Sequence, residues 1–135
     1  MKSNCILIIS SRFYSDISSC LELEAINLIK EKGYDYELVE VPGAFEVPAA
    51  LAYAAKTSKY IGYVALGCVI RGETYHFDLI ANECARKIID ISNEFLKPVG
   101  FGVLTCDNLK QAIVRSDIGK KNKGKEAANA CIKLL

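Results

Sequence analysis

The sequence predicts an α/β sandwich, one parallel sheet of four strands between two layers of helices. Three observations lead there. Short runs rich in β-branched and aliphatic residues alternate with amphipathic helical patterns along the whole chain. The third run, Tyr60–Leu66, is almost wholly apolar, as a strand buried on both faces must be. A helix-length segment separates each run from the next, the spacing of right-handed crossovers between parallel strands. Together these give a flavodoxin-like three-layer arrangement, in which ligands sit outside the carboxyl ends of the strands.

The elements follow in order. Cys5–Ser10 reads as the first strand. Ile17–Lys32 is a helix with Ile17, Leu21, Ala25, Leu28 and Ile29 on one face. Ser15 or Asp16 can cap its start and Gly33 its stop. Tyr36–Val41 is the second strand, ended by the Pro42-Gly43 turn, and a helix from Glu46 to Lys56 tolerates Pro48 in its first turn. After the third strand, Phe77–Phe95 places Phe77, Ile80, Ala81, Cys84, Ile88, Ile91 and Phe95 on one stripe. Val99–Leu104 is the fourth strand. Asn108–Arg115 and Lys125–Leu135 are helical, with the polar connector Ser116–Lys123 between them.

Composition narrows the function classes. A chain of 135 residues suits one domain, spanning 1–135, and buries enough surface to need no disulfide or metal staple. A net charge of +1 gives no global basic excess to suggest nucleic acid. The six cysteines are spread through apolar segments without C-x-x-C spacing, and the single His76 cannot complete a zinc site with them. They read as reduced, buried thiols in a reducing compartment. The apolar run after Lys2 is too short for a signal peptide, and Ile61–Ile70 falls well short of the roughly 20 residues of a membrane span. The expectation is a cytoplasmic enzyme or binding protein without metal, cofactor, membrane or nucleic-acid partner.

The segments that follow the strands carry the chemistry. Gly67–His76 leaves a buried strand, passes two glycines and enters a long helix. The free N–H groups of that helix start, with the Thr74 hydroxyl, suit an anion; an ordinary loop capped by Thr74 fits the same pattern. His76 stands within the first turn, and imidazole exchanges protons near neutral pH, although a histidine at a helix start also serves as a surface or capping residue. Phe13 at the end of the first strand can stack on a planar heterocycle or pack into the core. Pro42–Glu46 offers backbone groups at a turn. Arg115 can grip phosphate with its guanidinium fork, whereas the lysines 120, 121, 123 and 125 read as a solvated surface.

Taken together these stretches resemble the lumazine synthase family along nearly the whole chain. The carrying motifs are Arg12-Phe13, the run from Val41 through Pro42-Gly43-Ala44-Phe45-Glu46 to Pro48, and Gly67-Cys68-Val69-Ile70-Arg71-Gly72-Glu73-Thr74 leading to His76-Phe77-Asp78. Asn82-Glu83, Pro98–Thr105, Gln111-Ala112, Arg115, Asn122-Lys123-Gly124 and Glu126-Ala127-Ala128 follow in order. The resemblance implies that 5-amino-6-(D-ribitylamino)uracil condenses with 3,4-dihydroxy-2-butanone 4-phosphate to give 6,7-dimethyl-8-ribityllumazine, phosphate and water, the penultimate step of riboflavin biosynthesis. By motif match, Phe13 stacks on the pyrimidine, Ala44, Phe45 and Glu46 hold the ribityl chain, and Cys68, Val69 and Ile70 hold the uracil edge through backbone groups. Glu73 and Thr74 offer the anion site, Arg115 stands opposite, and His76 transfers protons. Phe101 closes the aromatic side, and Lys123 assists. In the family, Phe101 and Arg115 reach the site from a neighbouring subunit of a pentameric ring.

Some positions depart from the family pattern. Tyr14 stands where Asn is usual, Ser116-Asp117 replaces Ala-Gly, and Lys87 replaces Gly in the long helix. Only four residues precede the first strand, whereas many shell-forming members carry a leading strand that joins the neighbour's sheet. The resemblance thus implies pentameric rings, leaves a 60-subunit shell open, and allows association with riboflavin synthase. Three rivals share the fold. An archaeal-type riboflavin synthase has no use for Arg115 and Glu73-Thr74, and a non-catalytic lumazine- or flavin-binding module has no need of His76. A flavodoxin-type electron carrier would need a phosphate loop that residues 10–15 lack.

Overall fold

The structure is a computed structural model that describes residues 4–135. Strands β1 (Cys5–Ser11), β2 (Asp35–Val41), β3 (Gly62–Ile70) and β4 (Val99–Cys106) form one sheet in the order β2-β1-β3-β4, with every pair parallel. Helices α1 (Ser15–Glu31), α4 (Leu109–Ser116) and α5 (Lys123–Lys133) pack on one face, and α2 (Val47–Lys56) and α3 (His76–Phe95) on the other. The three-layer sandwich is the one the sequence predicts.

Alternation along the strands divides the core in two. Ile6, Ile8, Val64, Leu66 and Leu104 point towards α1, α4 and α5, where Leu21, Ile29 and Ala128 meet them. Leu7, Ile9, Tyr63, Ala65 and Val103 point towards α2 and α3, against Leu51, Cys84 and Ile88. Each fully buried Leu or Ile contributes about 1.5–3 kcal/mol, and β1 supplies Ile6, Ile8 and Ile9 to this set. Strand β2, at the sheet edge, is mostly exposed. Gly100 permits the close seat of α5 on β4, because a Cβ there would overlap the Ala127 carbonyl.

Several element ends differ from expectation. Strand β3 runs on from Leu66 to Ile70 and β4 to Cys106, because their ladder continues through Cys68↔Leu104, Val69↔Thr105 and Ile70↔Cys106. The presumed loop residues Gly67–Ile70 are therefore strand. Helix α1 starts at Ser15, which places Ser15 and Asp16 inside the helix; no side chain caps it, and Ser18 Oγ donates to the Ser11 carbonyl at 2.7 Å. Glu46 closes a short 3₁₀ turn, Ala44–Glu46, ahead of α2. Helix α5 begins two residues early, since Asn122, in the left-handed region, accepts a hydrogen bond from the Lys125 N–H. Gly33, with φ of +85°, ends α1's last turn as predicted. Among the described residues no helix is long and apolar enough to cross a membrane.

Candidate active site

A cleft of about 580 Å³ opens at the carboxyl ends of β1, β2 and β3. The β1 end is fixed by charge. Arg12 donates through Nη1 to Glu22 at 2.5 Å and through Nη2 to Ser19 Oγ at 2.8 Å, and Ser10 Oγ donates to the same Glu22 oxygen. This ties residues 10–12 to α1 and leaves Phe13 beyond the strand, 73% exposed, edge-to-face with Tyr14 at 5.0 Å between ring centroids. Both rings line the cleft.

From β2, Pro42 and Gly43 turn the chain into the 3₁₀ turn, whose Ala44, Phe45 and Glu46 form the next wall. Ala44 is buried beneath it, while Phe45 projects outwards, 63% exposed. From β3 come Cys68, Val69 and Ile70. Burial pushes the Cys68 thiol up to about 12, helped by Cys106, so at neutral pH it is an uncharged wall. Gly67 beneath them is dictated by space, since a Cβ would collide with Ser11 Oγ.

The chain then crosses from β3 to α3. Thr74 Oγ1 accepts from the His76 N–H at 3.3 Å, the helix start has no further side-chain cap, and Glu73, Thr74 and Tyr75 are exposed. His76 is the first residue of α3 and lines the cleft, with Leu79 and Ile80 one turn on along the same face. Amide groups at such a helix start favour an anion. Glu73 and Thr74 stand next to the cleft in sequence without lining it.

Phe101 and Arg115 do not join these residues within one chain. Phe101 lies on the outer strand β4, 42% exposed, opposite Ala65 in the register. Arg115 stands in the last turn of α4 on the other helix layer, where its Nη1 donates to the Gln111 backbone carbonyl at 3.2 Å. Lys123 Nζ is taken by Glu126 at 3.0 Å. Tyr14, Leu79 and Ile80 also line the cleft, although the sequence assigned none of them to it. The signal for the last two was present, as positions three and four beyond His76 on a helix. Among the described residues no group of three or more His, Cys, Asp or Glu could hold a metal ion.

Fold and cleft define a flavodoxin-like α/β protein with a pocket at the carboxyl edge of a parallel sheet, walled by aromatic and backbone groups and bordered by a histidine at a helix start. The family model for 6,7-dimethyl-8-ribityllumazine synthase matches residues 3–135, and the chain belongs to that family. A 6,7-dimethyl-8-ribityllumazine synthase of Bartonella bacilliformis is 46% identical over 132 residues, covering 96% of this chain and 87% of its own. That of Novosphingobium aromaticivorans is 46% identical over 129 residues, covering 96% and 92%. The Agrobacterium fabrum protein of the same name is 42% identical over 135 residues. These matches favour none of the rival readings.

Proposed function

We propose that the chain, as one domain over 1–135, condenses 5-amino-6-(D-ribitylamino)uracil with 3,4-dihydroxy-2-butanone 4-phosphate to form 6,7-dimethyl-8-ribityllumazine, phosphate and water. The observation that carries the reading is the convergence of Phe13, Ala44–Glu46, Cys68–Ile70 and His76 on one cleft from four separate segments. Phe13 stacks on the pyrimidine, whose edge meets the backbone of Cys68, Val69 and Ile70 in the way a strand end presents unpaired donors and acceptors. Ala44, Phe45 and Glu46 receive the ribityl hydroxyls. The pyrimidine amine attacks the ketone and an imine forms with loss of water; loss of the C3 proton and of phosphate then leaves an enol at C3. The enol tautomerises to a new carbonyl, and attack of the ribityl-bearing nitrogen on it closes the ring with loss of a second water. His76 carries protons between these steps, and placement of the two substrates lowers the barrier further.

The anion falls to Glu73, Thr74 and the start of α3, with Arg115 facing them. Since Phe101 and Arg115 lie away from the cleft of their own chain, we assign them to the cleft of the next subunit in a ring, which makes a pentameric homo-oligomer part of the proposal. Cytoplasmic location and an association with riboflavin synthase belong to the same reading. The test is direct: pure protein mixed with both substrates should produce lumazine absorbance and phosphate in equal amounts. Phosphate release without lumazine, or no turnover from a folded oligomer, overturns it.

A further inference from the structure

Arg71, at the head of the segment bearing Glu73, Thr74 and His76, ties that segment to its neighbours. Its backbone N–H donates to the Cys106 carbonyl at 2.8 Å, extending the contact between the ends of β3 and β4 by one residue. Its Nε donates to Asp107 at 3.0 Å, and its Nη1 reaches both carboxylate oxygens of Asp78 at 3.3 and 3.2 Å. The guanidinium carbon lies 4.4 Å from the centroid of the Phe77 ring. Arg71 thereby grips the first turn of α3 and the end of β4 together.

The contacts continue from there. The Asp107 N–H donates to Gln111 Oε1 at 2.8 Å, and the Gln111 carbonyl accepts from Arg115 Nη1 at 3.2 Å. A connected path of polar contacts thus runs from the start of α3 to Arg115 at the end of α4. Arg71 and Asp107 are 45% and 64% exposed, and ion pairs so wet add little to folding stability. What a planar fork with three separate anchors does supply is orientation.

We propose that Arg71 is a positioning residue for phosphate recognition at two sites. It fixes the Glu73–His76 turn of its own cleft and, through Asp107 and Gln111, the helix that presents Arg115 to the neighbouring cleft. This rests on the function proposed above. Contiguous contacts become coupling only when perturbing one end alters the other, so the test must measure that.

The variants are Arg71→Met, Arg71→Lys, Asp107→Asn and the double variant Arg71→Met/Asp107→Asn, assayed as purified oligomers with both substrates and with inorganic phosphate as competing inhibitor. Arg71→Met should raise the KM for the butanone phosphate and the inhibition constant for phosphate about tenfold, while the KM for the pyrimidine changes less than about twofold. Arg71→Lys should recover part of the loss. Asp107→Asn, which keeps the Asp78 anchor, should give a smaller rise of the same kind. The double variant should be no worse than Arg71→Met, since both changes cut one link. Equal loss of both substrates, a lowered Tm with unchanged KM values, or effects that multiply in the double variant would each overturn the proposal. Should Arg71→Met fail to fold, Asp107→Asn and Arg71→Lys decide alone: unchanged phosphate inhibition in both refutes it. A wild-type oligomer that makes no lumazine would instead refute the proposed reaction.

Discussion

Arg12 and Glu22 form a partly buried ion pair across the junction of β1 and α1, with 26% and 13% of their side chains exposed. Ser10 and Ser19 are each bonded to one member of the pair, and the exposed Glu40 carboxylate lies 3.7 Å from Arg12 Nε. The loop that carries Phe13 starts at this pair, so the pair sets where an otherwise exposed ring stands.

Removing Glu22 takes away the short contact of Arg12 and leaves it, as an anionic partner, only the exposed Glu40 carboxylate at 3.7 Å. Glu22→Ala should therefore lower stability by about 1–3 kcal/mol in urea unfolding. It should also weaken the pyrimidine substrate more than the butanone phosphate, because Phe13 loses its footing. Glu22→Gln, which keeps a hydrogen-bond acceptor, should be milder on both counts. If stability falls while pyrimidine affinity stays at the wild-type value, the pair holds only the fold.

His76 gives a kinetic prediction. Its replacement by Ala should lower kcat by roughly 10–1000-fold with small changes in both KM values, the size expected when one proton-transfer group is lost and substrate placement survives. A His76→Ala enzyme with wild-type kcat would reduce His76 to a lining residue.

The thiols give a pH prediction. Burial raises Cys68 to about 12 and Cys84 and Cys131 to about 11, above the ordinary thiol value of 9.0. A raised pKa in the folded state contributes stability that is complete below pH 9 and is lost as pH rises through the folded values. Urea midpoints attributable to these thiols should hold steady to about pH 8.5 and decline between pH 9 and 12. Alkylation at pH 8 should reach exposed Cys20 well before buried Cys68. Equal labelling rates at the two positions in the native protein would contradict this burial.

Periodicity made the sandwich legible, because buried strands and one-sided helices leave different spacings of apolar residues. The ends were less legible. Nothing local distinguishes Cys68–Ile70 as strand from the same residues as loop; the ladder with Leu104–Cys106 decides it, and that is a long-range contact. Within the cleft, Phe13, Ala44–Glu46 and His76 could be read from their places after strands. The Arg12–Glu22 pair could not, since nine residues of loop and helix lie between its members in sequence and only the fold brings them together.

The separation of His76 from Arg115 leads to the most discriminating prediction. His76 lines the cleft on the α2–α3 side of the sheet, whereas Arg115 lies in the last turn of a helix on the opposite layer. If both serve one phosphate-handling site, they come from different subunits. His76→Ala and Arg115→Ala oligomers should then each be strongly impaired, the second chiefly in its affinity for the butanone phosphate. Co-expressing the two variants in equal amounts draws the two halves of each ring contact independently, so roughly a quarter of the sites regain both residues. Activity near that fraction of wild type is the expected result, with none recovered when the finished oligomers are combined without exchange. Oligomers verified as mixed that recover no activity would show that the two residues do not meet across a subunit contact.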